Sequence, residues 1–105
     1  MVKKEDIIRQ IKFCIKILNK NQIPIQKAIL FGSHAKNNAT PSSDIDVALV
    51  SDKFTGIRFH DIEKILPLLI KINPYIEIHP FTLDDFNQHD NWFLEDIKQT
   101  GIEIT

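Results

Sequence analysis

Leu30-Phe31-Gly32-Ser33-His34-Ala35-Lys36 and, after a polar stretch, Ser43-Asp44-Ile45-Asp46-Val47-Ala48-Leu49-Val50 form the segment that decides the fold. Ala28 to Phe31 is continuously apolar, as expected of a strand covered on both faces. It stops at Gly32-Ser33. Residues 34–43 hold His34, Lys36, Thr40, Pro41, two Asn and two Ser, a loop composition with room for one helical turn at its start. Asp44 to Val50 is predicted as a second strand. Strand side chains alternate, so Asp44 and Asp46 project to one face, Ile45 and Val47 to the other.

Working outward, Ile7, Ile8, Ile11, Cys14, Ile15 and Leu18 recur at helical spacing and predict a helix over 3–20, ended by Asn19-Lys20-Asn21. The first strand is predicted to begin at Ile23. Asp61 to Ile72 is predicted helical, with Ile62, Ile65, Leu66, Leu69 and Ile70 on one face and a kink at Pro67, whose ring lacks an N–H. Tyr75 to Phe81 is a third strand, with Ile76 and Ile78 to one side and Glu77 and His79 to the other. Thr82-Leu83-Asp84-Asp85 resembles a capping box, so Asp84 and Asp85 read as a helix start. A further helix spans Trp92 to Thr100 with Gly101 at its end, and Ile102-Glu103-Ile104 forms a last short strand. This order describes an α/β (α+β) sandwich, a small mixed sheet of three to four strands flanked by helices. The length, 105 residues, predicts a single domain over 1–105.

Composition narrows the function classes. Apolar residues at 43% and charged residues at 26% describe a globular chain rather than a disordered one. Thirteen basic and 14 acidic side chains leave a net charge of −1, without the basic excess of a nucleic-acid coat. Cys14 stands alone, with no Cys/His set for structural zinc, which fits a reducing, cytoplasmic setting. The charged opening Met1-Val2-Lys3-Lys4-Glu5-Asp6 is not a signal peptide, and no apolar stretch is long enough to cross a bilayer.

The chemistry resides in the decisive segment. At about 3.3 Å rise per residue, Asp44 and Asp46 stand roughly 6.6 Å apart, and their oxygens can converge to about 5 Å. At an effective dielectric near 20, two such charges repel by roughly 3 kcal/mol. A divalent cation removes that conflict, and Mg²⁺ takes hard oxygen ligands while keeping substrate phosphates. Glu77 would add a third carboxylate from a neighbouring strand. Gly32 lets a phosphate approach the backbone, Ser33 offers its N–H and hydroxyl, and Lys36 adds positive charge.

Gly32-Ser33, ten intervening residues, Asp44-Ile45-Asp46 and Glu77 resemble the pattern of the polymerase-beta-like nucleotidyltransferase superfamily, and within it the minimal nucleotidyltransferase (MNT) family. The resemblance implies transfer of a nucleoside monophosphate from a nucleoside triphosphate to a hydroxyl, with Mg²⁺ as cofactor. It implies that Gly32, Ser33 and Lys36 hold phosphates, that Asp44, Asp46 and Glu77 bind metal, and that Glu77 helps a metal or accepts the acceptor's proton. Three positions depart from the common family string. Lys36 stands where Arg is usual, Asn37 where Gly is usual, and Glu77 where Asp is more frequent. Lys keeps the charge but not the bidentate phosphate geometry.

MNT proteins are commonly antitoxins paired with HEPN-type ribonuclease toxins. The resemblance therefore implies AMP transfer from ATP to a partner protein, with neither nucleic acid nor membrane as direct partner. The alternative is a non-catalytic, nucleotide-binding or partner-binding subunit that neutralises its partner by occlusion. Transfer to a small molecule or tRNA is a third reading, opposed by the net charge and by the lack of a second domain. His79 shares the face of Glu77 and either touches the site or packs at the sheet edge, and His34 either lines the nucleotide pocket or faces solvent; the second reading is favoured for both. His60 and His89 sit in polar contexts. Trp92 and Phe93 read as core or hydrophobic staple, with an exposed Trp92 marking a contact surface.

Overall fold

The computed structural model describes residues 3–104. Met1 and Val2, which begin the charged opening, and Thr105 lie outside the described residues. The chain folds as α1 (Lys4–Lys20), β1 (Lys27–Phe31), a 3₁₀ turn (Gly32–His34), β2 (Ile45–Val50), α2 (Arg58–Leu69), β3 (Ile76–Phe81), α3 (Leu83–Phe86), α4 (Trp92–Thr100) and β4 (Ile102–Glu103). The strands form one mixed sheet in the order β3-β2-β1-β4. β1 runs antiparallel to β2 and β4, and β2 runs parallel to β3. The architecture is the mixed α+β sandwich that the order of elements implies.

The period-2 alternation of the strands splits the core in two. Ala28, Leu30, Val47, Leu49 and Ile78 face α1 and α2, joining Ile7, Ile11, Cys14, Leu18, Ile65 and Leu69. Ile29, Phe31, Ala48 and Val50 face the other way and pack on Phe86, Leu94 and Ile97 of α3 and α4. Both central strands are covered twice, which is why they are apolar apart from Lys27 and Asp46. Glu5 and Asp6 in the first turn of α1 and Lys20 in its last complement the helix dipole.

Several boundaries differ from the sequence expectation. β1 begins at Lys27, not Ile23. The Ile23 N–H closes α1 on the Leu18 carbonyl, Pro24 has no N–H, and the Ile25 N–H donates to Asn19 Oδ1. β2 begins at Ile45, whose N–H donates to the Tyr75 carbonyl, so Asp44 precedes the strand. α2 starts at Arg58, three residues before Asp61, and ends at Leu69, two residues after Pro67. Asp61 is 1% exposed, and its carboxylate accepts from the Thr55 N–H (2.8 Å), the Thr55 hydroxyl (3.0 Å) and the Gly56 N–H (3.1 Å).

The later elements follow their local signals. Pro80 sits on the edge strand β3, where its missing donor is tolerated. Thr82 Oγ1 accepts from the Asp85 N–H and caps α3, and Asn91 Oδ1 accepts from the Phe93 and Leu94 N–H groups at the start of α4. Gly101 ends α4 against β1, where a Cβ would strike Ile29 Cγ2 and the Ile97 carbonyl. Among the described residues no helix is long and apolar enough to cross a membrane.

Candidate active site

The sheet register builds the site. Phe31, Asp46 and Glu77 are direct partners across β1, β2 and β3, and in-register partners share a face. His79 pairs with Ala48, one step along the same face. Asp46, Glu77 and His79 thus converge, with one ligand-type atom from each lying within 4.8 Å of the others. His79 Nε2 is 3.3 Å from Asp46 Oδ1 and 3.8 Å from Glu77 Oε1. The His79 ring packs edge-on against Phe31, with centroids 4.9 Å apart.

Gly32 closes the site from the β1 side. Its φ is +76°, a conformation that L side chains rarely adopt, and an added Cβ would lie 2.6 Å from Asp46 Oδ2. The turn Gly32–His34 therefore starts directly over the second oxygen of that carboxylate. The Ala35 and Lys36 N–H groups both donate to the Gly32 carbonyl and fold the turn away from the strand. Asn37 also has positive φ, 60°, at the position where the family string has Gly; Asn is among the residues that adopt this region most readily. Its side chain accepts from Lys4 Nζ at 2.6 Å.

The other expected residues are distributed less tightly. Asp44 is exposed and outside the Asp46–Glu77–His79 cluster, but it lines a groove of about 340 Å³ together with Glu77 and Arg58. Lys36 lies 4.0 Å from Asp96 on α4, with both side chains about half exposed. Asp46 and Glu77 present hard oxygen donors converging at one point, with Asp44 on the adjoining groove, a donor set that suits Mg²⁺.

Two corrections concern residues read as bland. His79 belongs to the acidic cluster and does not merely pack at the sheet edge. Trp92 is 80% exposed, so it is neither core nor staple, and it adjoins Phe93, which neighbours both Phe31 and His79. Arg58 carried no signal in the sequence. The first turn of α2 brings its guanidinium 3.3 Å from His79 Nδ1 and 3.8 Å from Glu77 Oε1. Only the parallel pairing of β3 with β2 and the packing of α2 on β3 create that meeting. His34 Nε2 sits 3.4 Å from the Ser43 carbonyl and is part of the loop's own structure.

No curated protein matches the chain in sequence. Solved structures share its fold. A protein of Sulfolobus solfataricus described as a candidate nucleotidyltransferase superposes with a TM-score of 0.66 at 11% identity, over 95% of this chain and 80% of that one. A toxin–antitoxin crystallised with AMP-PNP gives 0.57 at 21% identity, over 93% and 72%. A mutant of the toxin–antitoxin MntA-HpeT gives 0.55 at 19%, over 99% and 73%. The family model for polymerase beta nucleotidyltransferases matches residues 12–105, the stretch that holds both the Gly32–Ser33 turn and the acidic cluster. With the motif, its placement in the sheet and the fold in agreement, the chain belongs to the polymerase beta nucleotidyltransferase family.

Proposed function

We propose that this single-domain chain is a Mg²⁺-dependent nucleotidyltransferase that moves AMP from ATP to a hydroxyl on a partner protein. In this reading it is the antitoxin of a HEPN-type pair, working in the cytoplasm. The observation that carries the reading is the convergence of Asp46 and Glu77 beside the Gly32 turn. The toxin–antitoxin setting of two structures of this fold, one holding AMP-PNP, supports the partner and the donor.

Gly32 and Ser33 receive the triphosphate, and Lys36, released from Asp96, adds charge to it. Asp44, Asp46 and Glu77 hold the metal, which when bound supplies charge neutralisation for the phosphates. The acceptor oxygen forms a bond to the α-phosphorus. The bond from that phosphorus to the bridging oxygen breaks, and pyrophosphate leaves with the electron pair. The acceptor's proton passes to the Glu77 carboxylate.

Calorimetry with ATP, with and without Mg²⁺, tests the site on the wild type and on Asp44→Asn/Asp46→Asn. The expected result is metal-dependent binding that the double variant loses, together with a gain of one or more AMP masses on the co-expressed partner. AMP transfer that survives in the double variant overturns the proposal. The second reading, a non-catalytic subunit acting by occlusion, draws on the pairing of Lys36 with Asp96 and on the position of Asp44 outside the cluster. Neutralisation of the partner without ATP and without a mass gain would favour it.

A further inference from the structure

Resting on the metal-dependent reading of the site, we infer that His79 is a positioning residue: braced by Arg58, it donates its Nε2–H to Asp46 Oδ1 and turns Oδ2 toward the Gly32–Ser33 turn. A guanidinium has donors and no acceptor. Arg58 Nη1 lies 3.3 Å from His79 Nδ1, so Nδ1 is the accepting nitrogen. The hydrogen of the neutral ring is then on Nε2, which faces Asp46 Oδ1 at 3.3 Å. Glu77 Oε1 is 3.8 Å from the same nitrogen, too far to take that hydrogen. A nitrogen that carries a hydrogen has no lone pair for a cation. His79 is thereby assigned to orienting a ligand and not to being one.

The remaining contacts agree with that assignment. Phe31 packs edge-on against the imidazole and sets its plane. His79 is well covered, its side chain 14% exposed against 48% for Glu77, so the ring has little room to turn away. Asp46 is held at one oxygen by His79, while the other lies 2.6 Å from where a Gly32 Cβ would stand. The result is a carboxylate with one oxygen held by the protein and one directed at the phosphate turn. Outer-shell partners of this kind fix ligand orientation and tune metal affinity.

The test uses the full chain and Mn²⁺ as probe. In the metal-free protein, nitrogen NMR of His79 should show the Nε2–H tautomer, and Arg58→Met should release that preference. His79→Leu should weaken Mn²⁺ binding by about 10–100-fold, while His79→Gln, which keeps a donor near the Nε2 position, should stay within about threefold of wild type. Pulsed electron paramagnetic resonance of the bound Mn²⁺ should show no directly coordinated imidazole nitrogen. Such a nitrogen, lost in His79→Gln, would make His79 a ligand and overturn the inference. Unchanged Mn²⁺ binding in His79→Leu would overturn it as well. No Mn²⁺ binding by the wild type would instead overturn the metal reading of the site, and this role with it.

Discussion

Two aspartates on this chain have opposite surroundings. Asp61 is 1% exposed and accepts three hydrogen bonds from Thr55 and Gly56, tying the loop before α2 to the first turn of that helix. Asp46 is partly exposed, meets His79 at 3.3 Å, and stands beside Glu77 and a glycine that leaves room in front of it. Asp61 is satisfied, and its charge is spent on holding the fold. Asp46 keeps free coordination capacity next to another carboxylate, an arrangement that favours a cation. The partners of a carboxylate, rather than its residue type, separate structural from chemical roles.

The sharpest break of this comparison is Asp61→Ala. It removes the shared acceptor of three hydrogen bonds from Thr55 and Gly56 and should cost about 2–3 kcal/mol, read as a lower urea midpoint or melting temperature. Asp46→Asn should change stability by less than about 1 kcal/mol, since an amide oxygen still accepts from His79. The same substitution should lower AMP transfer by at least about a hundredfold, several kcal/mol of lost charge stabilisation. An Asp46→Asn protein as unstable as Asp61→Ala would erase the distinction.

Gly32→Ala is a smaller perturbation, placed directly beside Asp46 Oδ2. The new Cβ meets Asp46 Oδ2 and the backbone holds φ +76°, so a loss of roughly 1–2 kcal/mol is expected from the left-handed conformation alone. Metal-dependent ATP binding should fall further than stability, because the methyl group occupies the space assigned to phosphate. Calorimetry beside a denaturation curve separates the two effects.

The smallest effect at neutral pH belongs to Cys14, on the dry face between α1 and the sheet. Burial pushes its thiol up from 9.0 to about 11, offset in part by a backbone hydrogen bond. The folded pKa is the higher one, so this contribution to stability is fully present below pH 9 and is lost as pH rises toward 11. Alkylation by iodoacetamide at pH 7–8 should be negligible until the chain unfolds, and the melting temperature should begin to fall above pH 9.

Much of this was legible in local sequence. The apolar stripe of α1, the run Ala28–Phe31 and the cap at Thr82 are signals within one turn or one pleat, and the structure follows them. The start of α2 was not legible, because the Asp61 carboxylate is bonded to a loop five and six residues earlier and the helix begins three residues before it. The place of His79 was legible only as an alternative to packing at the sheet edge. A histidine two residues from Glu77 on an edge strand reads as surface until the neighbouring strand supplies Asp46.

By itself the sequence determined that a buried strand ends at Gly32-Ser33 and that a strand bearing Asp46 follows. Period-2 alternation and the freedom of glycine are properties of neighbouring residues, and they act without knowledge of the rest of the chain. Only the tertiary structure decided which groups gather round that carboxylate. The parallel pairing of β3 with β2 sets Glu77 directly opposite Asp46, and the seating of α2 on that pair delivers Arg58 to His79. Such pairings join residues more than 20 positions apart, and their register comes from packing two apolar faces at once, which no local period encodes.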